Sequence, residues 1–235
     1  MLLDEARRTS TVIVDLDDDG ERSFTFMVKP SADQFFSVED IPTFSTGQWM
    51  HSCSIALANE PSRSATFEAM QRMKSAGGFI SFDPNLREEV WAEPSQIQEV
   101  VMDAVKLADV MKFSEEELTF LTETETLETA LDTLNVASDK LVIVTLGARG
   151  ALAVYNGERR VIDGTKVEQV IDTTGAGDAF VGGLLAKLSQ NAHWRSWPCI
   201  EAAVHWGNVC GALATTQKGA MTALPSLAQL ADLVE

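Results

Sequence analysis

The chain has 235 residues, 45% of them apolar, which is long enough to bury a core without a metal or disulfide staple and too apolar for a disordered segment. Its 35 acidic residues against 18 basic ones give a net charge of −17, which opposes non-specific nucleic-acid binding because phosphate contacts need a basic face. The longest apolar runs, 141–146 and 179–186, fall far short of the roughly 18 residues of a membrane span. Cys53, Cys199 and Cys210 are too scattered for a disulfide framework or a zinc site, and no charged leader followed by an apolar run and a small-residue cleavage site is read. A cytoplasmic protein without membrane or nucleic-acid partners is expected.

In chain order, residues 11–16 and 24–28 are β-branched and aromatic and flank Asp17, Asp18, Asp19 and Gly20, the pattern of a β-hairpin over 11–28 with glycine at a positive φ. A lone hairpin is marginal in water, so it needs a surface to pack on. From about residue 47 strands and helices alternate. Residues 49–57 form an apolar run, and Pro61 opens a helix with Phe67, Met70 and Met73 on one face, closed by Gly77 and Gly78. Residues 79–83 form a strand, and Ile97, Val100, Val101, Ala104, Val105 and Ala108 follow the 3.6-residue period of a helix. Strands are expected at 109–113, 141–146, 150–155, 159–162 and 167–171, with turns at Asn156-Gly157 and Asp163-Gly164, and helices at 114–121, 127–137, 177–190, 198–216 and 226–234. Alternating βα units imply an α/β fold with a largely parallel sheet covered by helices.

Chemistry concentrates in Asp172-Thr173-Thr174-Gly175-Ala176-Gly177-Asp178, between a predicted strand and a predicted helix. Two glycines in three residues let consecutive N–H groups face one concavity, and a helix N-terminus adds roughly half a positive charge. That is an anion site made of backbone. A phosphate-binding loop gains nothing from a carboxylate at its rim, whereas a phosphoryl transferase needs a base for the attacking hydroxyl, so Asp178 is a candidate base; complementing the helix dipole is the alternative. The Walker pattern is absent, and the dinucleotide fingerprint fails at Phe180. Ser114 and Glu117 have capping-box spacing. Thr145, Gly147 and Gly150 follow a strand as a glycine turn, a weak signal alone. Asp83-Pro84-Asn85-Leu86-Arg87 ends a strand where open α/β sheets place ligands, and the planar fork of Arg87 suits a phosphate, with a surface ion pair as the alternative. His51, His193 and His205 share no metal or triad spacing, and Trp194 and Trp197 read as packing residues.

The segment DTTGAGDAFVGG, together with RTSTVIVDL, ERSFTFMVKPSAD, SIALANEPSRS, GGFISFDPN, SEEEL and CGALATTQKGAMTALP, resembles the ribokinase-like (PfkB) carbohydrate kinases over nearly the whole chain, with the greatest likeness to bacterial fructokinases. The resemblance implies a three-layer αβα sandwich with a mostly parallel sheet and a small β lid, residues 1–30 forming part of the lid and 31–235 the nucleotide-binding and catalytic core. It implies ATP-dependent phosphorylation of a sugar, fructose giving fructose 6-phosphate; a kinase for 2-keto-3-deoxygluconate or a nucleoside, or a non-catalytic nucleotide-binding fragment, stand as alternatives. Asp178 is then the catalytic base, Gly175, Ala176 and Gly177 donate N–H groups to the transferring phosphoryl, and Arg87 clamps the phosphates. Thr145, Gly147, Gly150 and Lys112 are implied at the nucleotide, with Asn208, Lys218, Gly219 and Ala220 at its adenine. Glu117 is associated with Mg²⁺ through water, and Asp172 and Thr174 with a monovalent cation such as K⁺. The family's opening strand, Gly-Gly motif and asparagine, which hold the sugar, have no match, so the chain is expected to start inside a longer protein. A homodimer through the lid is also implied.

Overall fold

A computed structural model describes residues 3–16 and 22–234. They divide into two compact units, Met1–Asp109 and Val110–Glu235.

In the first unit, β1 (Thr11–Leu16) and β2 (Arg22–Met27) pair antiparallel, with Thr11 opposite Met27 and Leu16 opposite Arg22. The expected turn at Asp17, Asp18, Asp19 and Gly20 lies outside the described residues. The apolar run at 49–57 divides into β3 (Trp49–Cys53) and a 3₁₀ turn at Ser54–Leu57. Helix α1 (Ser62–Ser75) follows and buries Ala65, Ala69, Met70 and Met73. Next, β4 (Phe79–Asp83) pairs parallel with β3, Trp49 beside Phe79 and Cys53 beside Asp83. Helix α2 (Ile97–Leu107) buries Ile97, Val101, Ala104 and Val105, as its period requires.

The second unit opens with β5 (Val110–Ser114), α3 (Glu115–Thr122), α4 (Leu127–Thr133) and β6 (Leu141–Thr145). Strands β5 and β6 are parallel and buried for four of their five residues each, the continuous apolar signature of a strand covered on both faces. Antiparallel β7 (Gly150–Tyr155) and β8 (Glu158–Asp163) complete this part of the sheet. The β7–β8 turn has Asn156 at φ 50° and Gly157 at φ 78°, the left-handed pair that a two-residue hairpin demands. The unit ends with α5 (Ala176–Leu188), α6 (Trp197–Ala214) and α7 (Leu227–Val234). Ala179 of α5, Val209, Cys210 and Ala214 of α6 and Leu230 of α7 share one buried cluster. Burial pushes the Cys210 thiol above its ordinary pKa.

Two expected elements differ. Helix α4 ends at Thr133, four residues early, because Leu134 turns to an extended backbone. Residues 167–171 form no strand. A Cβ on Gly164 would fall on the Ala148 carbonyl oxygen, so the chain is drawn toward the turn before β7 and leaves the line of β8. Val170 and Ile171 are then more than half exposed, which explains why an apolar stretch reads as a strand yet has no sheet partner.

Among the described residues, no helix is long and apolar enough to cross a membrane.

Candidate active site

Every element of the 172–178 loop is fixed by its neighbours. Asp172 is buried, and its two carboxylate oxygens accept different backbone donors: Thr174 N–H gives to Oδ1 at 2.9 Å and Gly219 N–H to Oδ2 at 2.8 Å. The backbone N–H groups of Ile171 and Asp172 both donate to the Thr215 carbonyl, at 2.8 and 3.1 Å, tying the loop to the end of α6. Gly175 caps α5 at φ 78°, where an L side chain is strained, and a Cβ there would stand 2.8 Å from the Ala220 carbonyl oxygen. Thus Gly219 and Ala220 brace the loop from the side, one through a hydrogen bond and the other through close packing.

The loop delivers the first turn of a 13-residue helix, in which Ala176, Gly177 and Asp178 leave N–H groups without intrahelical partners. Asp178 is exposed on that turn. Lys112, in the middle of β5, is buried, and its ammonium lies 3.4 Å from where a Gly177 Cβ would be. A cation and a helix N-terminus, whose Ala176 N–H donates to the Thr173 carbonyl at 3.2 Å, therefore meet beside one exposed carboxylate. Such a site stabilises an anion and offers a proton acceptor next to it.

A cavity of about 350 Å³ adjoins this turn, with Ala176, Gly177 and Phe180 on one wall. Thr145, Gly147, Gly150 and Asn208 also line it, whereas Lys112, Lys218, Gly219 and Ala220 do not. Among the described residues, no charged side chain lines it. The Thr145 hydroxyl donates to the Phe113 carbonyl at 3.2 Å, which keeps its lone pairs for a ligand. Gly150 sits at φ 101°, and a Cβ on it would fall on the Ile162 carbonyl oxygen, so the glycine permits strand contact as well as ligand approach. Asn208 Nδ2 donates to the carbonyls of Ile162 and Asp163, at 3.1 and 3.0 Å.

At the start of α3, Ser114 and Glu117 form the reciprocal capping box: Glu117 N–H donates to Ser114 Oγ at 3.1 Å and Ser114 N–H to Glu117 Oε2 at 2.9 Å. In the first unit, Arg87 Nη1 donates to the Leu86 carbonyl, and its guanidinium lies 5.4 Å from the centre of the Phe24 ring. Among the described residues, no group of three His, Cys, Asp or Glu side chains is arranged to hold a metal. The donors near the loop are of another kind: Thr174 Oγ1 is buried without a hydrogen-bond partner in the protein, beside the carboxylate of Asp172. Hard oxygen donors of that type suit an alkali cation.

Sequence reasoning passed over Thr165, whose buried hydroxyl has no protein partner and which lines the cavity. Nothing local marks it, since its burial depends on the packing of residues 146–150 against 162–164.

The α/β architecture with an anion turn at a helix N-terminus defines the class, a phosphate-binding α/β protein. Residues 1–227 match the family described as pfkB family carbohydrate kinase. A fructokinase of Vibrio alginolyticus is 61% identical over 230 residues, which cover 98% of this chain and 75% of that one. The crystal structure of a fructokinase double mutant from Vibrio cholerae O395, in its fructose, ADP and potassium ion bound form, superposes with a TM-score of 0.92 at 59% identity, covering 99% of this chain and 74% of that one. The aminoimidazole riboside kinase of Salmonella enterica, complexed with aminoimidazole riboside and an ATP analog, gives a TM-score of 0.89 at 37% identity, with 100% and 76% coverage. The chain belongs to the pfkB family of carbohydrate kinases and has their ribokinase-like fold. It is a sugar kinase, a phosphotransferase with an alcohol group as acceptor.

Proposed function

We propose that the chain transfers the γ-phosphoryl group of ATP to the primary hydroxyl of D-fructose, giving fructose 6-phosphate. The observation that carries this reading is the convergence of the α5 N-terminus, the Lys112 ammonium and the exposed Asp178 carboxylate on one turn. The fructose and ADP bound by the Vibrio cholerae enzyme, 59% identical, support the choice of sugar and nucleotide.

In this reading Asp178 takes the proton of the attacking hydroxyl, and the N–H groups of Gly175 and Gly177 meet the charge that builds on the transferring group, while the expected Ala176 N–H is already engaged with the Thr173 carbonyl at 3.2 Å. Lys112 adds a fixed positive charge beside them. Thr145, Gly147, Gly150 and Asn208 wall the cavity for the nucleoside part, while Gly219 and Ala220, with Lys218 before them, hold the loop in shape. Arg87, on the other unit, receives its cationic role from the family resemblance alone. Mg²⁺ held through water by Glu117 would screen phosphate charge, and one Glu117 oxygen serves the capping box. A K⁺ ion near Asp172 and Thr174 would draw on the unpaired Thr174 hydroxyl. The protein is read as cytoplasmic, with residues 1–30 as part of a β lid. Val12 and Ile13 on β1, 43% and 53% exposed, support pairing of lids in a homodimer, which sedimentation at micromolar concentration tests.

The deciding experiment is ADP release by the purified chain with Mg·ATP and K⁺, comparing D-fructose, aminoimidazole riboside and no acceptor. Fructose-dependent turnover is expected. A greater rate with aminoimidazole riboside would move the acceptor to the nucleoside class of the 37%-identical relative. ADP binding without turnover on either acceptor would mark the chain as a nucleotide-binding piece.

A further inference from the structure

Acidic residues outnumber basic ones in this chain, 35 to 18, yet three cations gather around one cavity of the first unit. Residues 6–8 lead into β1, and residues 26–30 end β2 and leave it. Between the two segments lies an open cavity of about 440 Å³ lined by Arg7, Arg8 and Lys29. Its remaining walls are apolar, with Phe26, Met27 and Pro30 among them. Among the described residues, no acidic side chain lines it.

Backbone contacts fix the walls. Ala32 N–H donates to the Arg8 carbonyl at 2.9 Å and closes the two segments on each other. The buried Ser31 hydroxyl donates to the Val28 carbonyl at 2.8 Å and sets the bend after β2. The three cations are committed to different degrees. Arg7 Nη1 donates to Asp4 Oδ2 at 2.8 Å, and its guanidinium lies 3.5 Å from the centre of the Phe35 ring. Lys29 Nζ gives one proton to the Trp91 carbonyl at 3.2 Å and keeps two. Arg8 is exposed, and among the described residues its guanidinium has neither a hydrogen bond nor an ion pair.

We propose that this cavity binds a phosphate dianion, with Arg8 and Lys29 as its ligands and Arg7, anchored by Asp4, adding a fixed charge at the wall. Like charges gathered without a counter-charge repel one another, and an anion between them turns that repulsion into attraction. Two cations with uncommitted N–H groups match a dianion, and a phosphate has an acceptor oxygen for each. The planar fork of Arg8 takes phosphate oxygens in pairs, whereas Lys29 acts as a point charge. The volume falls within the roughly 300–1,000 Å³ of small-molecule sites, so the phosphate can be free or carried on a small ester.

The test is calorimetric titration of inorganic phosphate and, separately, of glycerol 2-phosphate, at an ionic strength held constant with choline chloride. The proteins are the parent chain, Arg8→Gln, Lys29→Gln and Lys106→Gln, each with its thermal midpoint measured before phosphate is added. Lys106 lies on α2 outside the cavity and controls for the loss of one positive charge. Parent and Lys106→Gln should bind alike. Arg8→Gln and Lys29→Gln should each bind roughly 3- to 10-fold more weakly, the worth of one exposed charge-assisted hydrogen bond. The midpoint of Arg8→Gln should stay level or rise, because a repelling charge has gone. Tighter binding of glycerol 2-phosphate assigns the dianion to an ester whose carbon part meets Phe26 and Met27, and tighter binding of inorganic phosphate assigns free phosphate. Equal affinity in all four proteins would put the anion elsewhere in the chain and overturn the proposal, as would no binding by the parent at millimolar phosphate. A lowered midpoint for Arg8→Gln would give Arg8 a structural duty and overturn its place as a ligand.

Discussion

Asp178 and Asp172 lie six residues apart on one loop, and their surroundings give them opposite duties. Asp172 is buried with both oxygens occupied by backbone donors, so its charge is spent on holding Thr174 and Gly219 in place. Asp178 is exposed on the first turn of α5, where the helix N-terminus favours the carboxylate and an incoming hydroxyl can reach it. A general base of this kind contributes about 10²- to 10⁴-fold to the rate. The expected outcome for Asp178→Asn is a fall in kcat of roughly that size with ADP affinity little changed, because asparagine keeps the shape and loses the proton acceptor. Steady-state rates with Mg·ATP and fructose, beside titration of ADP, check this. A variant that keeps its kcat would assign the proton to another group, and one that loses ADP affinity in proportion would give Asp178 a binding duty instead.

Helices α5 and α6 show how closely two elements must approach to bring the loop and the cavity together. Gly183 faces α6, where a Cβ would stand 2.6 Å from Cys210 Sγ and 2.8 Å from the Trp206 carbonyl oxygen. Gly182, one position earlier, is exposed and would place a Cβ in open space. Alanine in a helix interior gains about 0.8–1 kcal/mol over glycine. Overpacking a tight contact costs about 1–3 kcal/mol, more than that gain. Gly182→Ala is therefore expected to raise the denaturation midpoint and Gly183→Ala to lower it, in equilibrium urea unfolding of the two variants. Equal shifts in one direction would mean that the helices yield at Gly183. The same distinction separates what is legible in the sequence from what is not. The period of α2, the Asn156-Gly157 turn and the capping box of Ser114 and Glu117 rest on residues within one element, and they can be read from spacing. The glycine-and-aspartate loop can be read as an anion turn because its chemistry is local. The stretch 167–171 misleads, since its valines and isoleucine suggest a strand while Gly164 has already turned the chain aside. The buried hydroxyl of Thr165, the Lys112 ammonium against Gly177 and the support that Gly219 gives Asp172 join residues far apart in sequence, so no spacing announces them.

For the whole molecule, charge is the property that sequence alone determines. An excess of 17 negative charges repels itself, and the repulsion opposes the compact state. Surface pairs such as Arg72–Glu68 and Lys106–Asp103 offset part of it, but each contributes only about 0–1 kcal/mol. Added salt weakens both effects, with a Debye length near 10 Å at about 0.1 M. Because acidic residues number 35 and basic ones 18, repulsion has far more terms than attraction, and its loss should dominate. The thermal midpoint should therefore rise with choline chloride, about 2–4 °C for each kcal/mol of repulsion removed. Potassium chloride at equal ionic strength screens to the same extent, so any further rise reports cation binding, for which the buried Thr174 hydroxyl beside Asp172 supplies the donors. A midpoint that stays flat or falls in choline chloride would show that the acidic excess lies too far apart to matter. A rise in choline chloride with no increment from potassium would leave the repulsion argument standing and remove the alkali cation from the loop.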